Sequence, residues 1–149
     1  MMLPRRSFLA LGGTATVGVG GYAVFRFSFA RAETAAILTP PEALIAATAG
    51  DILLVDIRRP DEWQQTGIAA PAHPIDMRDD DFLDQLRTLR TATTQPIAVI
   101  CARGVRSARL TRRLEEAQLG PIIDIPEGML GSVAGPGWLE RGLPTRKVD

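Results

Sequence analysis

Residues 96–107 read Pro96-Ile97-Ala98-Val99-Ile100-Cys101-Ala102-Arg103-Gly104-Val105-Arg106-Ser107 and contain the only cysteine of the 149-residue chain. The β-branched residues of Ile97–Ile100 predict a short buried strand. Beyond the loop, small and apolar residues recur at helical spacing, at Ala108, Thr111, Leu114 and Ala117. The sequence therefore predicts a strand, a loop and a helix, with Cys101 at the point where the strand ends.

The predicted loop has the chemistry of an anion site with a reactive thiol. Backbone N–H groups at a helix N-terminus converge on one point, where the helix dipole adds partial positive charge. Arg103 and Arg106 add two full positive charges. These effects favour thiolate over thiol, so we expect Cys101 to be an ionised nucleophile at neutral pH. A lone cysteine cannot form an internal disulfide, so the alternative is a buried, inert residue.

Strands and helices alternate along the rest of the chain. The remaining predicted elements are a helix from Pro40 to about Ala49 capped by Thr39, a strand near Ile52–Ile57, a short helix near Pro60–Gln65, a short strand at Ile75–Met77, a helix over Asp80–Arg90 and a strand at Ile122–Ile125. This order predicts an α/β fold with a mainly parallel central sheet and helices on both faces. Ligands of such sheets bind near the carboxyl ends of the strands, where we place Asp56 and Cys101.

Several segments of the chain resemble the rhodanese family of sulfurtransferases. The active-site loop of that family begins at a nucleophilic cysteine and has a basic residue at its sixth position, and Cys101 and Arg106 take those places. Three further segments are similar to the family's Asp-x-Arg strand end, its Glu-aromatic segment and its C-terminal ending, namely Asp56-Ile57-Arg58, Glu62-Trp63 followed by Gly67, and Glu127-Gly128 with Trp138 and Gly142-Leu143-Pro144. The resemblance spans most of the chain and implies a rhodanese-like fold.

The resemblance also implies a two-step transfer of sulfane sulfur. Cys101 attacks the outer sulfur of thiosulfate or of a polysulfide and forms a cysteine persulfide, which a thiol or cyanide then discharges. We expect no cofactor, and the sequence has no cluster of metal-ligating residues. The residues implied in binding the sulfur anion are those of the loop: Ala102, Arg103, Gly104, Val105 and Arg106.

Asp56 and Arg58 are interpreted as structural support for the loop. An aspartate at a strand end can accept hydrogen bonds from neighbouring loop N–H groups. An arginine two residues further on points the same way along the strand and can pair with it. The alternative is an acid and base pair that takes part in catalysis.

Two other functions stay open at this point. Ile68 stands where many rhodaneses have a histidine and Ala102 where an arginine is common; such departures motivate a non-catalytic module for binding sulfane sulfur or for signalling. Phosphatases and arsenate reductases of the same fold have a loop that is one residue longer, with arginine at its seventh position. That position is Ser107 here, and the smaller ring suits a sulfur atom better than a phosphoryl group.

The first 32 residues resemble a twin-arginine export signal. Pro4-Arg5-Arg6-Ser7-Phe8-Leu9-Ala10 matches the core Arg-Arg-x-Phe-Leu, and the stretch after it is uncharged and moderately apolar. Ala30-Arg31-Ala32 has small residues at both positions that a signal peptidase reads, so we predict cleavage before Glu33. The chain then consists of a signal peptide, 1–32, and a rhodanese-like domain, 33–149, which the twin-arginine translocase exports to the periplasm. An uncleaved membrane anchor is the alternative.

Charge patterning bears on the class of partner. The chain has 17 basic and 17 acidic residues, and loss of residues 1–32 with their four arginines leaves 13 basic and 17 acidic residues. The resulting net charge of −4 does not suit nucleic-acid binding by bulk charge. Basic residues nevertheless crowd the predicted loop and helix, at Arg103, Arg106, Arg109, Arg112 and Arg113. This local charge suits a small anion, although the last three are also explained as a solvated helix face.

The glycine-rich segment Glu127–Trp138 has two interpretations. It forms one wall of the pocket, or it is a mobile loop, because four of its twelve residues are glycines. Trp63 and Trp138 are interpreted as packing aromatics in either case.

Overall fold

The computed structural model describes residues 36–148, so the predicted signal peptide, 1–32, lies outside the described residues. The strands are β1 (Ala36–Ile37), β2 (Leu53–Asp56), β3 (Ile68–Ala69), β4 (His73–Pro74), β5 (Ile97–Ile100), β6 (Ile122–Asp124) and β7 (Thr145–Arg146). The helices are α1 (Pro40–Thr48), α2 (Pro60–Thr66), α3 (Phe82–Leu89), α4 (Val105–Glu116) and α5 (Gly137–Glu140).

Five strands form a parallel central sheet in the order β1-β6-β5-β2-β4. A separate antiparallel pair is formed by β3 and β7. The central position of β2 and β5 explains their composition, since a parallel strand covered on both faces is apolar throughout. All four residues of each of these strands are buried.

The central strands divide their side chains between two cores. Successive residues of a strand point to opposite faces. Accordingly Ala98 and Ile100 belong to one core cluster, and Ile97 and Val99 belong to the other. In the register of β2 and β5, Asp56 lies opposite Ile100, so the two strands end side by side.

Helices cover both faces of the sheet. The first core cluster includes Ala43 of α1 and Trp138 of α5, with Trp63 buried beside them. The second includes Leu86 of α3 and Leu114 of α4. The predicted α/β fold, with a mainly parallel sheet and helices on both faces, is confirmed. Within residues 36–148 no helix is long and apolar enough to cross a membrane.

Capping residues fix the start of α1 as the sequence predicts. Both the backbone N–H and the hydroxyl of Thr39 donate to the carboxylate of Glu42, at 2.8 and 2.6 Å. Pro40 lies in the first turn, where a missing N–H costs no helical hydrogen bond. As a result α1 begins at the predicted residue and ends one residue before the predicted end.

The short strand predicted at Ile75–Met77 is wrong. The strand in this region is β4, which pairs with the end of β2. After β4 the carboxylate of Asp76 accepts the backbone N–H of Arg78 at 3.0 Å, which turns the chain away from the sheet. The following helix, α3, starts at Phe82, two residues later than predicted.

The predicted apolar face of the next helix is also partly wrong. In α4 the buried residues are Ser107, Leu110, Thr111 and Leu114. Ala108 is half-buried and Ala117 is exposed. A leucine has more apolar surface to remove from water than an alanine, so the helix turns Leu110 toward the sheet.

Candidate active site

The loop between β5 and α4 lies at the carboxyl end of the central sheet. It begins at Cys101, which is only 1 % exposed, and α4 starts at Val105. Gly104 has a φ of +81°, and a Cβ atom there would lie 2.2 Å from the carbonyl oxygen of Pro126. The tight loop therefore requires glycine at this position.

The sulfur of Cys101 contacts two groups of its own loop. The backbone N–H of Gly104 donates to Sγ at 3.2 Å. The thiol reaches the hydroxyl of Ser107 at 3.6 Å, and that hydroxyl donates to the Gly104 carbonyl at 3.0 Å. A backbone donor aimed at the sulfur is what stabilises negative charge on it.

Arg106, the sixth residue of the loop, is held by α2. Its Nη1 and Nη2 atoms donate to the two carboxylate oxygens of Glu62 at 2.7 and 2.6 Å. The hydrogen bond from Arg106 lowers the pKa of Glu62 to about 2, against the opposing effect of burial. The same bond raises the pKa of Arg106, and the charge of Cys101 adds to the rise. The guanidinium is thus fixed beside the loop as one half of a bidentate ion pair.

The other residues of the loop line its outer side. Arg103 is exposed, and its Nη1 donates to the carbonyl of Gly131 at 3.3 Å. The Ala102 side chain is half-buried, and Val105 is 60 % exposed. An apolar side chain at the loop mouth therefore stands next to the two arginines.

Residues 127–138, which we call the wall segment, pack against the loop. The N–H of Met129 donates to the Cys101 carbonyl, and the N–H of Leu130 donates to the Ala102 carbonyl, both at 2.8 Å. Gly128 allows this approach, since a Cβ atom there would lie 2.5 Å from the Ala102 oxygen. These bonds hold the glycine-rich segment against the loop, which argues against the mobile-loop interpretation.

Glu127 anchors the wall segment through hydrogen bonds with Arg141 and with the backbone of Gly137. Its buried carboxylate accepts two hydrogen bonds from Arg141, both at 2.8 Å, and one from the N–H of Gly137 at 3.0 Å. The bonds from Arg141 lower the pKa of Glu127, against burial. The carboxylate therefore stays ionised and keeps the segment closed on itself.

Asp56 and Arg58 form a buried pair at the end of β2. Arg58 donates through Nε to Oδ1 at 2.9 Å and through Nη2 to Oδ2 at 2.8 Å. The indole N–H of Trp63 donates to Oδ1 at 3.2 Å, and Arg58 also donates to the Gly67 carbonyl at 2.7 Å. With both side chains at most 1 % exposed, the geometry supports a structural role.

Most of the described part of the chain matches a known protein family. Residues 39–131 match the family described as Rhodanese-like domain. The chain belongs to the rhodanese-like family. No curated protein matches the chain in sequence.

Solved structures are similar to three quarters or more of the chain. The polysulfide-sulfur transferase homodimer from Wolinella succinogenes is 26 % identical, with a TM-score of 0.59 over 91 % of this chain and 96 % of that chain. Rv0390 from M. tuberculosis is also 26 % identical, with a TM-score of 0.60 over 78 % of this chain and 100 % of that one. A rhodanese-like domain protein from Staphylococcus aureus is 25 % identical, with a TM-score of 0.55 over 75 % and 99 %.

Three residues of this rhodanese-like site carry contacts that the sequence did not assign. The sequence indicates Glu62 only as part of a family segment, yet this residue holds Arg106 across 44 residues of sequence. Ser107 was considered only as the seventh loop position. The signal in the sequence that identifies Ser107 is a hydroxyl on the buried side of the first turn of α4.

The third of these residues is Asp124, at the end of β6. It is 8 % exposed, and within residues 36–148 its Oδ1 atom has no hydrogen-bond partner. Burial raises the pKa of this carboxyl, and the Ser107 hydroxyl and the Ile125 backbone oppose the rise. A buried carboxyl thus lies next to the hydroxyl that contacts the Cys101 sulfur. Among the described residues, no group of three or more His, Cys, Asp or Glu side chains is placed to hold a metal ion.

Proposed function

We propose that this rhodanese-like protein is a sulfurtransferase that works through a persulfide on Cys101. The observation that carries the proposal is the position of the sulfur. It lies at the start of the family loop and accepts the Gly104 N–H at 3.2 Å, and Arg106 is the sixth residue of the same loop. The likeness to a polysulfide-sulfur transferase supports the same class of reaction.

The reaction balances without a further oxidant or reductant. The Cys101 thiolate attacks the sulfane sulfur of thiosulfate or of a polysulfide, and a new S–S bond forms. The S–S bond of the donor breaks, and its electron pair leaves with sulfite or with the shortened polysulfide. A thiolate or cyanide then attacks the outer sulfur of the persulfide and restores the Cys101 thiolate.

In this reaction negative charge moves between sulfur atoms, and the loop residues stabilise that charge. Loop N–H groups donate to the outer sulfur of the persulfide, and Arg103 and Arg106 attract the anionic donor and stabilise the leaving anion. Ala102, Gly104 and Val105 complete the ring around the sulfur. We place Asp56 and Arg58 outside the reaction, as the support of the adjacent strand end.

Intact mass of the purified protein tests the persulfide directly. We expect a gain of one sulfur atom after incubation with thiosulfate or polysulfide, its loss on addition of cyanide, and neither change in Cys101→Ser. Initial rates with varied donor and acceptor should give parallel lines in double-reciprocal plots, as a covalent relay requires. A folded protein with a free thiol that gains no sulfur from either donor contradicts the proposal.

The second candidate is a module that holds sulfane sulfur without turnover. It is favoured by the burial of Cys101, which restricts access of an acceptor to the sulfur. A stable Cys101 persulfide that neither thiols nor cyanide discharge would establish this function in place of the enzyme. Hydrolysis of an aryl phosphate that is abolished by Cys101→Ser would instead establish phosphatase chemistry.

We further propose that the protein acts in the periplasm after export by the twin-arginine translocase. The support is the segment Arg5-Arg6-Ser7-Phe8-Leu9 and the small residues before Glu33. In that compartment a reactive thiolate is exposed to oxidation, and storage of the sulfur as a persulfide keeps it in the catalytic cycle.

A further inference from the structure

A groove of about 480 Å³ opens beside the candidate active site. Its lining consists of Arg59, Glu62, Asp76, Met77, Arg78 and Arg106. Sites for small organic ligands have volumes of roughly 300–1,000 Å³. Thiosulfate has five non-hydrogen atoms, which need roughly 150 Å³ at the volume of as many water molecules. The groove is therefore several times larger than the small donor requires.

The groove is continuous with the loop through Arg106. This residue belongs to the loop that starts at Cys101, and its guanidinium also lines the groove. Its guanidinium is held in the lining by Glu62, whose carboxylate oxygens accept Nη1 and Nη2 at 2.7 and 2.6 Å. The groove and the loop that begins at Cys101 therefore share one residue, Arg106.

The groove is lined mainly by oppositely charged side chains that already form ion pairs with one another. Arg106 pairs with Glu62 at 2.6 Å, and Arg78 donates through Nε to Asp76 at 2.9 Å. Arg59 lies 3.5 Å from Glu62. A simple anion that captured Arg78 would leave the carboxylate of Asp76 without its partner. A ligand with one positive and one negative group replaces both members of a pair at once, so no charge is left unpaired.

We propose that this groove binds the organic part of a small zwitterionic thiol, an amino-acid or short-peptide thiol with a carboxylate and an ammonium group. The inference rests on the proposed function, because it assigns the acceptor of the same persulfide. The ligand carboxylate pairs with Arg78 or Arg59, the ammonium group pairs with Asp76 or Glu62, and the carbon chain lies on Met77. Its thiolate attacks the outer sulfur of the Cys101 persulfide, forms an organic persulfide and releases the Cys101 thiolate.

An acceptor series with Arg78→Ala tests the groove. Persulfide-loaded protein is discharged with cysteine, with cysteamine, which lacks the carboxylate, with 2-mercaptoethanol, which lacks both groups, and with cyanide. We expect Arg78→Ala to lower kcat/KM for cysteine by roughly fivefold, the effect of one exposed ion pair, mainly through KM. For the other three acceptors kcat/KM should stay within about twofold of the wild type. Each variant is compared with wild type for the same acceptor, so differences in intrinsic thiol reactivity cancel.

Arg87→Ala is the matched control. Arg87 is a similarly exposed arginine in an aspartate pair, but it lies on α3 outside the groove. Arg78→Glu should extend the loss for cysteine and leave cyanide unaffected. Equal effects of Arg78→Ala on all acceptors, or no effect on any, would overturn the assignment of the groove. Loading of Cys101 is measured by mass before each assay, so a failure of the persulfide itself is recognised separately.

Discussion

The guanidinium of Arg106 is already paired, because the carboxylate of Glu62 accepts hydrogen bonds from both of its terminal nitrogens. In the proposed reaction, a donor anion that binds this guanidinium would share it with a carboxylate. Glu62 is ionised at every pH above about 2, so the competition is constant over the physiological range. We therefore expect Glu62 to weaken the attraction of the loop for anions.

Glu62→Gln should strengthen binding of anionic donors. The amide keeps the shape of the side chain and removes the negative charge, so we expect the KM for thiosulfate to fall about three- to tenfold. Steady-state rates with cyanide as acceptor measure this, and the effect should shrink at high ionic strength. Glu115→Gln, at an exposed position on α4, is the control. A rise in KM would mean that Glu62 acts mainly by positioning Arg106.

Asp124→Asn should stabilise the fold at neutral pH. Burial raises the pKa of Asp124 in the folded state above the unfolded value of 3.8, so the folded state holds this proton more tightly. The group therefore lowers the free energy of unfolding as pH rises above 3.8 and has no such effect below it. We expect Tm to rise by about 2–4 °C at pH 7 and to stay unchanged near pH 3. A lower Tm at pH 7 would show that the carboxylate is needed beside Ser107.

At the scale of elements, the loop and the wall segment form one unit. Two carbonyls of the loop accept N–H groups of the wall segment, and Gly104 approaches the backbone of Pro126, the residue before that segment. A change in either element is transmitted to the other through these backbone contacts. The sulfur position is therefore determined by both.

Gly104→Ala should disrupt this unit. The added Cβ meets the Pro126 oxygen at 2.2 Å and the residue must keep a φ of +81°, so we expect a loss of about 3 kcal/mol of stability and loss of persulfide formation. Chemical denaturation and intact mass measure the two effects. Gly142→Ala separates the causes, because Gly142 has a φ of +65° but no atom within 4 Å of its Cβ position. Equal losses of stability in Gly104→Ala and Gly142→Ala would contradict the role assigned to the close approach of Gly104 to Pro126.

The elements that the sequence predicted correctly are those with local signals. β5, the loop and the start of α4 follow one another within about a dozen residues, and their patterns are strong. The contacts that complete the site join distant residues, since Arg103 meets Gly131 across 28 positions and Arg106 meets Glu62 across 44. No periodicity marks such pairs. The predicted face of α4 is partly wrong because alanine spacing fits a helix without specifying which side is buried.

At the scale of the whole molecule, export should depend on the arginine pair. We expect the wild-type protein in the periplasmic fraction with Glu33 as its first residue, and a double Arg5→Lys, Arg6→Lys variant retained in the cytoplasm. Cell fractionation with N-terminal sequencing measures both. A double Arg26→Lys, Arg31→Lys variant, which keeps the charge near the predicted cleavage site, is the control. Periplasmic recovery of the first variant would contradict the twin-arginine route.

The edge of the sheet at β4 has a consequence for behaviour at high concentration. The N–H of Ile75 turns inward to the Asp56 carbonyl at 3.1 Å, so the nitrogen of the preceding residue, Pro74, faces outward. Proline has no N–H there to offer to an incoming strand. Pro74 therefore disfavours the addition of a further strand at this edge, and because the effect comes from a missing N–H it does not depend on pH or salt concentration.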